Sequence, residues 1–314
     1  MLRFSRLFKP AILLAGLIPG SAAHLSAQQT QQPPASSSRP PTANPDTGDS
    51  VSIERDVQYG VQGGEKLLLD IYEPAFPSAS PRPAVVLIHG GSWNSLDKST
   101  MQGMGNFLAR TGFVAFSVNY RLLHENENRW PAQLDDVQRA VRWMRANAAK
   151  YGIDPNHIGA FGHSAGAQLA ALLGMQDTRD NSDPALAKFS SRVQAVVDVS
   201  GPTDFLVGAD KDGESEMADL FGGDAAKIPE VWQGASPAFQ VAKSNAPFLI
   251  VHGTADTIVS IAQAQELYDK LQLAGVPVTF IKVDDGHTFA APDARRRLAF
   301  ESLKFFQHYL LAGS

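Results

Sequence analysis

The chain has 314 residues, of which 44% are hydrophobic and 19% are charged, and its formal net charge is −5 at pH 7. No basic stripe interrupts this mildly acidic sequence, so we expect no nucleic-acid partner, because affinity for the phosphate backbone comes from clustered Lys and Arg. The lack of any cysteine excludes disulfides, a thiol nucleophile and cysteine-ligated metals.

The first 27 residues have the pattern of a secretory signal peptide. Three basic residues precede an apolar run at 11–18, and the small residues that follow place cleavage after either Ala23 or Ala27. The run is shorter than the roughly 20 residues that span a bilayer. We therefore expect export to the periplasm or the extracellular space with no stable membrane anchor; an uncleaved N-terminal anchor is the alternative. Residues 28–50, rich in Gln, Pro, Ser and Thr, predict a disordered linker.

Residues 51–314 predict one large α/β domain. Residues 51–53 and 56–60 alternate apolar and polar side chains and predict one strand, and residues 67–72, after a Gly-Gly turn, predict a second. Together they predict an antiparallel hairpin at a sheet edge. Apolar runs and helical patterns then alternate, which predicts a mostly parallel central sheet with helices on both faces. Residues 202–244 break this alternation and predict a small cap insertion. The further predicted strands are 84–88, 114–118, 158–161, 195–199, 248–251 and 278–283, and the predicted helices are 101–110, 131–150, 167–173, 261–274 and 293–311.

The predicted helix 131–150 is amphipathic, and Leu134 and Val137 mark its apolar face. We expect Arg142, Arg145 and Lys150 to lie on its solvent face.

The motif G-H-S-A-G at 162–166 joins a predicted buried strand to a predicted helix. This five-residue motif alone is weak evidence for a nucleophilic serine. The strand–turn–helix context strengthens the evidence, because such a turn exposes Ser164 at its apex. The helix that follows favours negative charge at that point. A phosphate-binding loop is the alternative, yet the motif lacks the lysine that a Walker-type loop needs.

Polar motifs follow the carboxyl ends of four predicted strands, the edge at which open α/β sheets bind ligands. Ser164 needs an adjacent base, and His287 is the candidate. Asp256 can hold the imidazole in one tautomer and stabilise the imidazolium, and the order Ser, Asp, His fits this architecture. The alternative is that Asp256 caps the helix after it, in which case Asp284 or Asp285 orients His287.

The remaining site residues surround this predicted triad. The backbone N–H groups of Gly91, Ser92 and Ala165 are the expected oxyanion hole. His89 in the same loop is expected to be structural.

Four further residues are candidate substrate contacts, and the three aromatic side chains among them could equally be core residues. These candidates are Trp93, His163, Phe221 and Trp232.

The motifs together resemble the α/β-hydrolase superfamily across 51–314, in its hormone-sensitive-lipase-like branch. The greatest likeness is to the group related to feruloyl and acetyl-xylan esterases, often labelled BD-FAE. Ser92 departs from the third glycine that the lipase-like branch usually has, which fits the feruloyl-esterase-like and arylformamidase-like relatives better than true lipases. The stretches that carry the resemblance are His89-Gly90-Gly91-Ser92-Trp93, Asn119-Tyr120-Arg121-Leu122, Asp154-Pro155-Asn156-His157-Ile158, Gly162-His163-Ser164-Ala165-Gly166-Ala167 and His252-Gly253-Thr254-Ala255-Asp256.

This resemblance implies an α/β-hydrolase catalytic domain that acts as a serine carboxylesterase through an acyl-enzyme, with no cofactor and no metal. Expected substrates are small-molecule or polysaccharide-linked esters of the short-chain, acetyl or feruloyl type. The sequence leaves the natural ester and the oligomeric state open. An amide hydrolase, either an arylformamidase or an exported peptidase, is the alternative activity. A catalytically inactive binding module is a third interpretation, which the intact predicted triad disfavours.

Overall fold

The computed structural model describes residues 50–178, 182–207 and 217–311. The predicted signal peptide and all of the predicted linker except Ser50 lie outside the described residues, as does 208–216 within the predicted cap.

Eight strands form one sheet. They are β1 Val51–Gln62, β2 Glu65–Pro74, β3 Arg82–Ile88, β4 Val114–Val118, β5 Ile153–His163, β6 Ala195–Val199, β7 Phe248–Gly253 and β8 Val278–Val283. Their order in the sheet is β1-β2-β4-β3-β5-β6-β7-β8. The antiparallel β1–β2 hairpin lies at one edge, and β2 pairs antiparallel with β4; every other neighbouring pair is parallel. The predicted edge hairpin and the mostly parallel sheet of an α/β-hydrolase fold are therefore confirmed.

Helices cover both faces of this sheet, and two apolar clusters fill the space between the layers. Between the sheet and helices α1 (Gln102–Arg110) and α7 (Pro292–Leu311), Phe113 and Phe306 are fully buried. On the other face, where α2 (Ala132–Ala146) and α3 (Ala165–Met175) pack, Leu134 and Leu169 are fully buried. No helix within the described residues is long and apolar enough to cross a bilayer. The helices are α1 Gln102–Arg110, α2 Ala132–Ala146, α3 Ala165–Met175, α4 Ala218–Phe221, α5 Pro229–Ala235, α6 Ile261–Leu273 and α7 Pro292–Leu311.

The described parts of the predicted cap insertion contain the short helices α4 and α5 and a 3-10 turn at Pro237–Phe239. These elements pack on the α3 side of the sheet, where Trp232 joins the apolar cluster. Its function as a cap stays a prediction.

Helix α2 differs from its prediction in two ways. It ends at Ala146 instead of residue 150, and Arg142 is almost fully buried, so the expectation of a solvent face for this residue is wrong. The guanidinium Nε of Arg142 donates to the carbonyl oxygen of Leu186 over 2.9 Å. Arg145 donates to the carbonyl oxygens of Pro155 and Arg192. Both arginines therefore tie α2 to the loop between α3 and β6, in which Leu186 and Arg192 lie.

Candidate active site

Ser164 lies at a sharp turn between β5 and α3, with φ 55° and ψ −122°. A positive φ is strained for a residue with a side chain, and such strain is often held at reactive positions. Glycine is required on both sides: a Cβ at Gly162 would collide with the backbone of Gly166, and one at Gly166 would collide with the carbonyl of Ile88. The tight packing therefore holds the hydroxyl of Ser164 at the carboxyl edge of the sheet.

A continuous chain of hydrogen bonds connects Ser164, His287 and Asp256. His287 Nε2 lies 2.9 Å from Ser164 Oγ, and His287 Nδ1 lies 2.7 Å from Asp256 Oδ2. The carboxylate only accepts hydrogen bonds when ionised, so Nδ1 carries the proton and Nε2 is free to accept one from the hydroxyl. The three residues predicted as a triad thus meet in the geometry that nucleophile activation needs.

The side chain of Asp256 is fully buried, and it has more partners than His287 alone. Its Oδ1 accepts from the backbone N–H groups of Ile258 and Val259, both over 2.9 Å. His252 Nε2 lies 3.2 Å from Oδ2. Although burial by itself would raise the pKa of Asp256, the hydrogen bonds from His252, His287 and the backbone hold that pKa well below its usual range. The carboxylate is therefore ionised throughout the physiological pH range.

The alternative orienting residues lie elsewhere. Asp285 accepts from the backbone N–H groups of Gly286 and Ala291, and Asp284 lies 3.4 Å from the hydroxyl of Thr254. The cap of α6 is Ser260, which accepts from Ala262. In the structure it is Asp256 that contacts the imidazole of His287.

The predicted oxyanion loop is braced by a pair of stacked rings. The rings of His89 and Tyr120 lie 4.3 Å apart and nearly parallel, and the Tyr120 hydroxyl donates to the carbonyl oxygens of His89 and Gly90. A Cβ at Gly90 would lie 3.1 Å from the Cβ of Ser164, so the loop runs directly beside the nucleophile.

The expected oxyanion donors lie on this loop and on the first turn of α3. Gly91 has φ 100° and Ser92 has φ 51°, which turns the backbone sharply at the predicted donors. Ala165 is the first residue of α3, directly after Ser164. Their assignment as the oxyanion hole stays a prediction.

His163 joins the nucleophile turn to the loop that carries His287. Its Nε2 donates to the backbone carbonyl oxygen of His287 over 2.9 Å, and the two rings lie 5.1 Å apart. Burial lowers the pKa of His163, so its ring is neutral near pH 7. The ring also lines a cavity of about 890 Å³ between α1 and α7, whose walls include Phe107 and Phe300. As a substrate contact His163 stays a prediction; its hydrogen bond gives it a second, structural function.

The three aromatic candidates belong to one cluster beside the site. Phe205 packs edge-on against Trp93, with ring centroids 5.6 Å apart, and against Phe221 at 5.1 Å; Phe221 in turn packs on Trp232 at 4.8 Å. Trp232 has no exposed surface, and its indole N–H donates to the carbonyl oxygen of Gly223. The structure therefore places Trp232 in the core, which corrects the expectation that it contacts substrate. Trp93 and Phe221 are nearly buried and stay predictions.

Sequence reasoning missed Gln168, which connects the predicted oxyanion loop to α5. Its amide oxygen accepts from the indole N–H of Trp93 over 3.1 Å, and its amide nitrogen donates to the carbonyl oxygen of Ala235 over 2.8 Å. A glutamine on the otherwise apolar helix 167–173 was the available signal, because a buried amide needs partners.

Among the residues that the structure describes, no three His, Cys, Asp or Glu side chains cluster as metal ligands do.

Comparison with known proteins agrees with this geometry. The family model BD-FAE matches residues 69–271. The probable carboxylic ester hydrolase LipM of Mycobacterium tuberculosis is 30% identical over 236 residues, which cover 73% of this chain and 54% of LipM. The esterase LipC of the same organism is 30% identical over 256 residues, covering 77% of this chain and 61% of LipC. The chain thus spans little more than half of the length of these curated relatives.

A solved structure resembles nearly the whole described domain. It is described as a truncated form of a carbohydrate esterase from gut microbiota, and it superposes with a TM-score of 0.68 at 29% sequence identity. The match covers 82% of this chain and 98% of that chain.

Proposed function

Because the chain belongs to the BD-FAE family of α/β-hydrolases, we propose that it is a serine carboxylesterase that hydrolyses carboxylic esters through an acyl-enzyme. The observation that carries this proposal is the hydrogen-bonded chain from Ser164 through His287 to Asp256. The names of the relatives, carboxylic ester hydrolase and esterase, support the same reaction class.

The first half of the reaction forms the acyl-enzyme. Ser164 Oγ attacks the ester carbonyl carbon while His287 Nε2 takes the hydroxyl proton. Asp256, ionised and bonded to Nδ1, stabilises the imidazolium that results. The carbonyl oxygen becomes an oxyanion, for which the N–H groups of Gly91, Ser92 and Ala165 are the proposed donors. His287 then gives its proton to the departing alcohol.

The second half of the reaction releases the acid. Water takes the place of the alcohol, His287 removes its proton, and the hydroxide attacks the acyl carbon. Collapse of this second tetrahedral intermediate breaks the bond to Ser164 Oγ, which recovers its proton from His287. Every proton transfer uses the same imidazole nitrogen.

The proposed substrates are esters of the short-chain, acetyl or feruloyl type, either as small molecules or linked to a polysaccharide. The carbohydrate-esterase relative supports this substrate class. Hydrolysis of an amide substrate, such as a formamide or an aminoacyl-anilide, would use the same triad and is the result that would redirect the proposal.

We further propose that the N-terminal signal pattern directs export. N-terminal sequencing of the mature protein would test this, since cleavage after Ala23 and cleavage after Ala27 give different first residues.

A matched substrate panel tests the proposal. The enzyme and Ser164→Ala would be assayed side by side on short and long p-nitrophenyl esters, acetylated xylan, methyl ferulate, N-formylkynurenine and an aminoacyl-anilide. Ester hydrolysis that the substitution abolishes supports the proposal, and the best ester identifies the substrate class. Turnover of the amides alone would contradict it, as would activity that survives in Ser164→Ala.

A further inference from the structure

A second imidazole approaches the triad carboxylate from β7. His252 is fully buried at the carboxyl end of this strand, and its Nε2 lies 2.9 Å from the carbonyl oxygen of Val259 and 3.2 Å from Asp256 Oδ2. A carbonyl oxygen can only accept, so Nε2 carries a proton and shares it between these two acceptors. Asp256 Oδ2 therefore receives hydrogen bonds from two imidazoles, His287 and His252.

Three polar atoms around His252 are buried and have no hydrogen-bond partner among the described residues. They are Asp198 Oδ2, Ser200 Oγ and His252 Nδ1. Strands β6 and β7 are parallel neighbours in which Asp198 pairs with Ile250, and the backbone N–H of Ser200 donates to the carbonyl oxygen of Val251. This register brings all three side chains to the same edge of the sheet. Unpartnered polar atoms cost free energy when buried, and their clustering next to a site calls for a functional reason.

Asp198 is the most unusual member of this cluster. It is 1% exposed, and its Oδ1 accepts from the backbone N–H of Gly201 over 3.0 Å. Burial raises the pKa of Asp198 to about 6, against opposing contributions from the Gly201 hydrogen bond and from His252. Near pH 7 and above, the carboxyl group is therefore ionised in a fully buried position beside His252.

We propose that His252 and Asp198 are positioning residues for the hydrolytic reaction: His252 holds the Asp256 carboxylate in its orientation toward His287, and Asp198 supplies negative charge behind His252. This inference rests on the proposed function, because it concerns the same triad. Neither residue touches the substrate. Both act through Asp256, which contacts Nδ1 of the His287 imidazole.

The electrostatic consequence depends on which groups surround His252. These are Asp198 on β6, Asp256 after β7, His163 at the end of β5 and His287 after β8. The hydrogen bond from His252 draws negative charge away from His287, so its removal leaves Asp256 better able to stabilise the His287 imidazolium. Asp198 adds negative charge to the same region, so its removal has the opposite effect.

The experiment compares His252→Phe, which loses the donor, with His252→Gln, whose amide N–H replaces it. Ester hydrolysis and the rate of phosphonylation by a fluorophosphonate would be followed from pH 5 to 9. We expect kcat to fall roughly tenfold in His252→Phe, with KM little changed, because a buried acceptor loses its donor. His252→Gln should keep most of the activity. The acidic limb of the rate profile should move to higher pH in His252→Phe and to lower pH in Asp198→Asn.

His157→Gln is the matched control, since its ring makes a 2.8 Å contact with Asp154 at the opposite end of β5 and should leave both profiles unchanged. An acidic limb in His252→Phe that stays in place or moves to lower pH would overturn the proposal, because His252 would then not compete with His287 for the negative charge of Asp256. Equal losses in His252→Phe and His252→Gln, or an unchanged profile in Asp198→Asn, would also overturn it. If the wild-type enzyme hydrolyses no ester, the proposed function fails, while the phosphonylation profiles still decide the inference.

Discussion

His163 Nε2 donates a hydrogen bond to the backbone carbonyl oxygen of His287 over 2.9 Å. The residue before the proposed nucleophile thereby holds the loop that carries the proposed base, and two segments more than 120 residues apart are fixed relative to each other. Because burial lowers the pKa of His163, the ring stays neutral at physiological pH. The proton on Nε2 is then set by the carbonyl oxygen that accepts it.

Replacing His163 with leucine should lower kcat roughly tenfold, because the carbonyl of His287 loses its donor and the loop loses an anchor. His163→Gln, which keeps an N–H donor, should lose less activity. Steady-state kinetics on one ester, together with the melting temperature of each variant, would check this. Wild-type kcat in His163→Leu would contradict a positioning function for this hydrogen bond.

Ser164→Ala should lower kcat by roughly four to six orders of magnitude while the fold is retained, because the nucleophile is lost and the residual rate comes from binding and the oxyanion hole. The measurement is ester turnover together with labelling by a fluorophosphonate, which should disappear. Ser302→Ala, at a buried serine of α7 whose hydroxyl bonds the Leu298 carbonyl, is the control and should label normally. Persistent labelling of Ser164→Ala would show that another residue is the nucleophile.

Asp256→Asn should reduce kcat about 10⁴-fold, since the amide can favour the wrong tautomer of His287 and no longer stabilises the imidazolium. Asp284→Asn, whose carboxylate makes only a 3.4 Å contact with Thr254, should change kcat by less than about threefold. Parallel kinetics on these two variants decides between Asp256 and Asp284, which is one of the two loop aspartates that the sequence left as alternatives. The reverse ranking would assign the orienting function to the loop after β8.

The sequence predicted most of the fold because buried parallel strands are continuous apolar runs. The strand predicted at 114–118 coincides with β4, and the one at 195–199 with β6. The loops that follow such strands must meet at one edge, so the proximity of Ser164, Asp256 and His287 was also predictable without knowing any distance.

What the sequence could not supply was contact between distant segments. Arg142 has the spacing of a solvent-facing residue, yet the loop that contains Leu186 covers it and accepts its hydrogen bond. The loop-rich segment around Trp232 favoured an exposed side chain that contacts substrate, but Phe221 and its neighbours bury this side chain completely. The approach of His252 to Asp256 depends on how one loop turns after β7, which residue types alone do not determine.

We expect the ionised carboxylate of Asp198 to lower the stability of the fold, although we propose that it supports catalysis. Its folded pKa of about 6 lies above the ordinary value of 3.8, so the stability that its neutral form provides is present below pH 3.8 and is lost as pH rises through 6. Asp198→Asn keeps an oxygen for the Gly201 N–H and carries no charge. The variant should therefore match the wild type near pH 4 and exceed it by on the order of 3 kcal/mol at pH 8.

Urea unfolding at both pH values measures this difference, and Asp269→Asn on the exposed side of α6 controls for the change in net charge. If Asp198→Asn is more stable than the wild type but hydrolyses esters more slowly, the carboxylate of Asp198 contributes to catalysis at the expense of stability. A residue with a purely structural function would instead stabilise the fold. An Asp198→Asn variant that is less stable at pH 8 would mean that the ionised carboxylate has a favourable partner and that the buried cluster is structural.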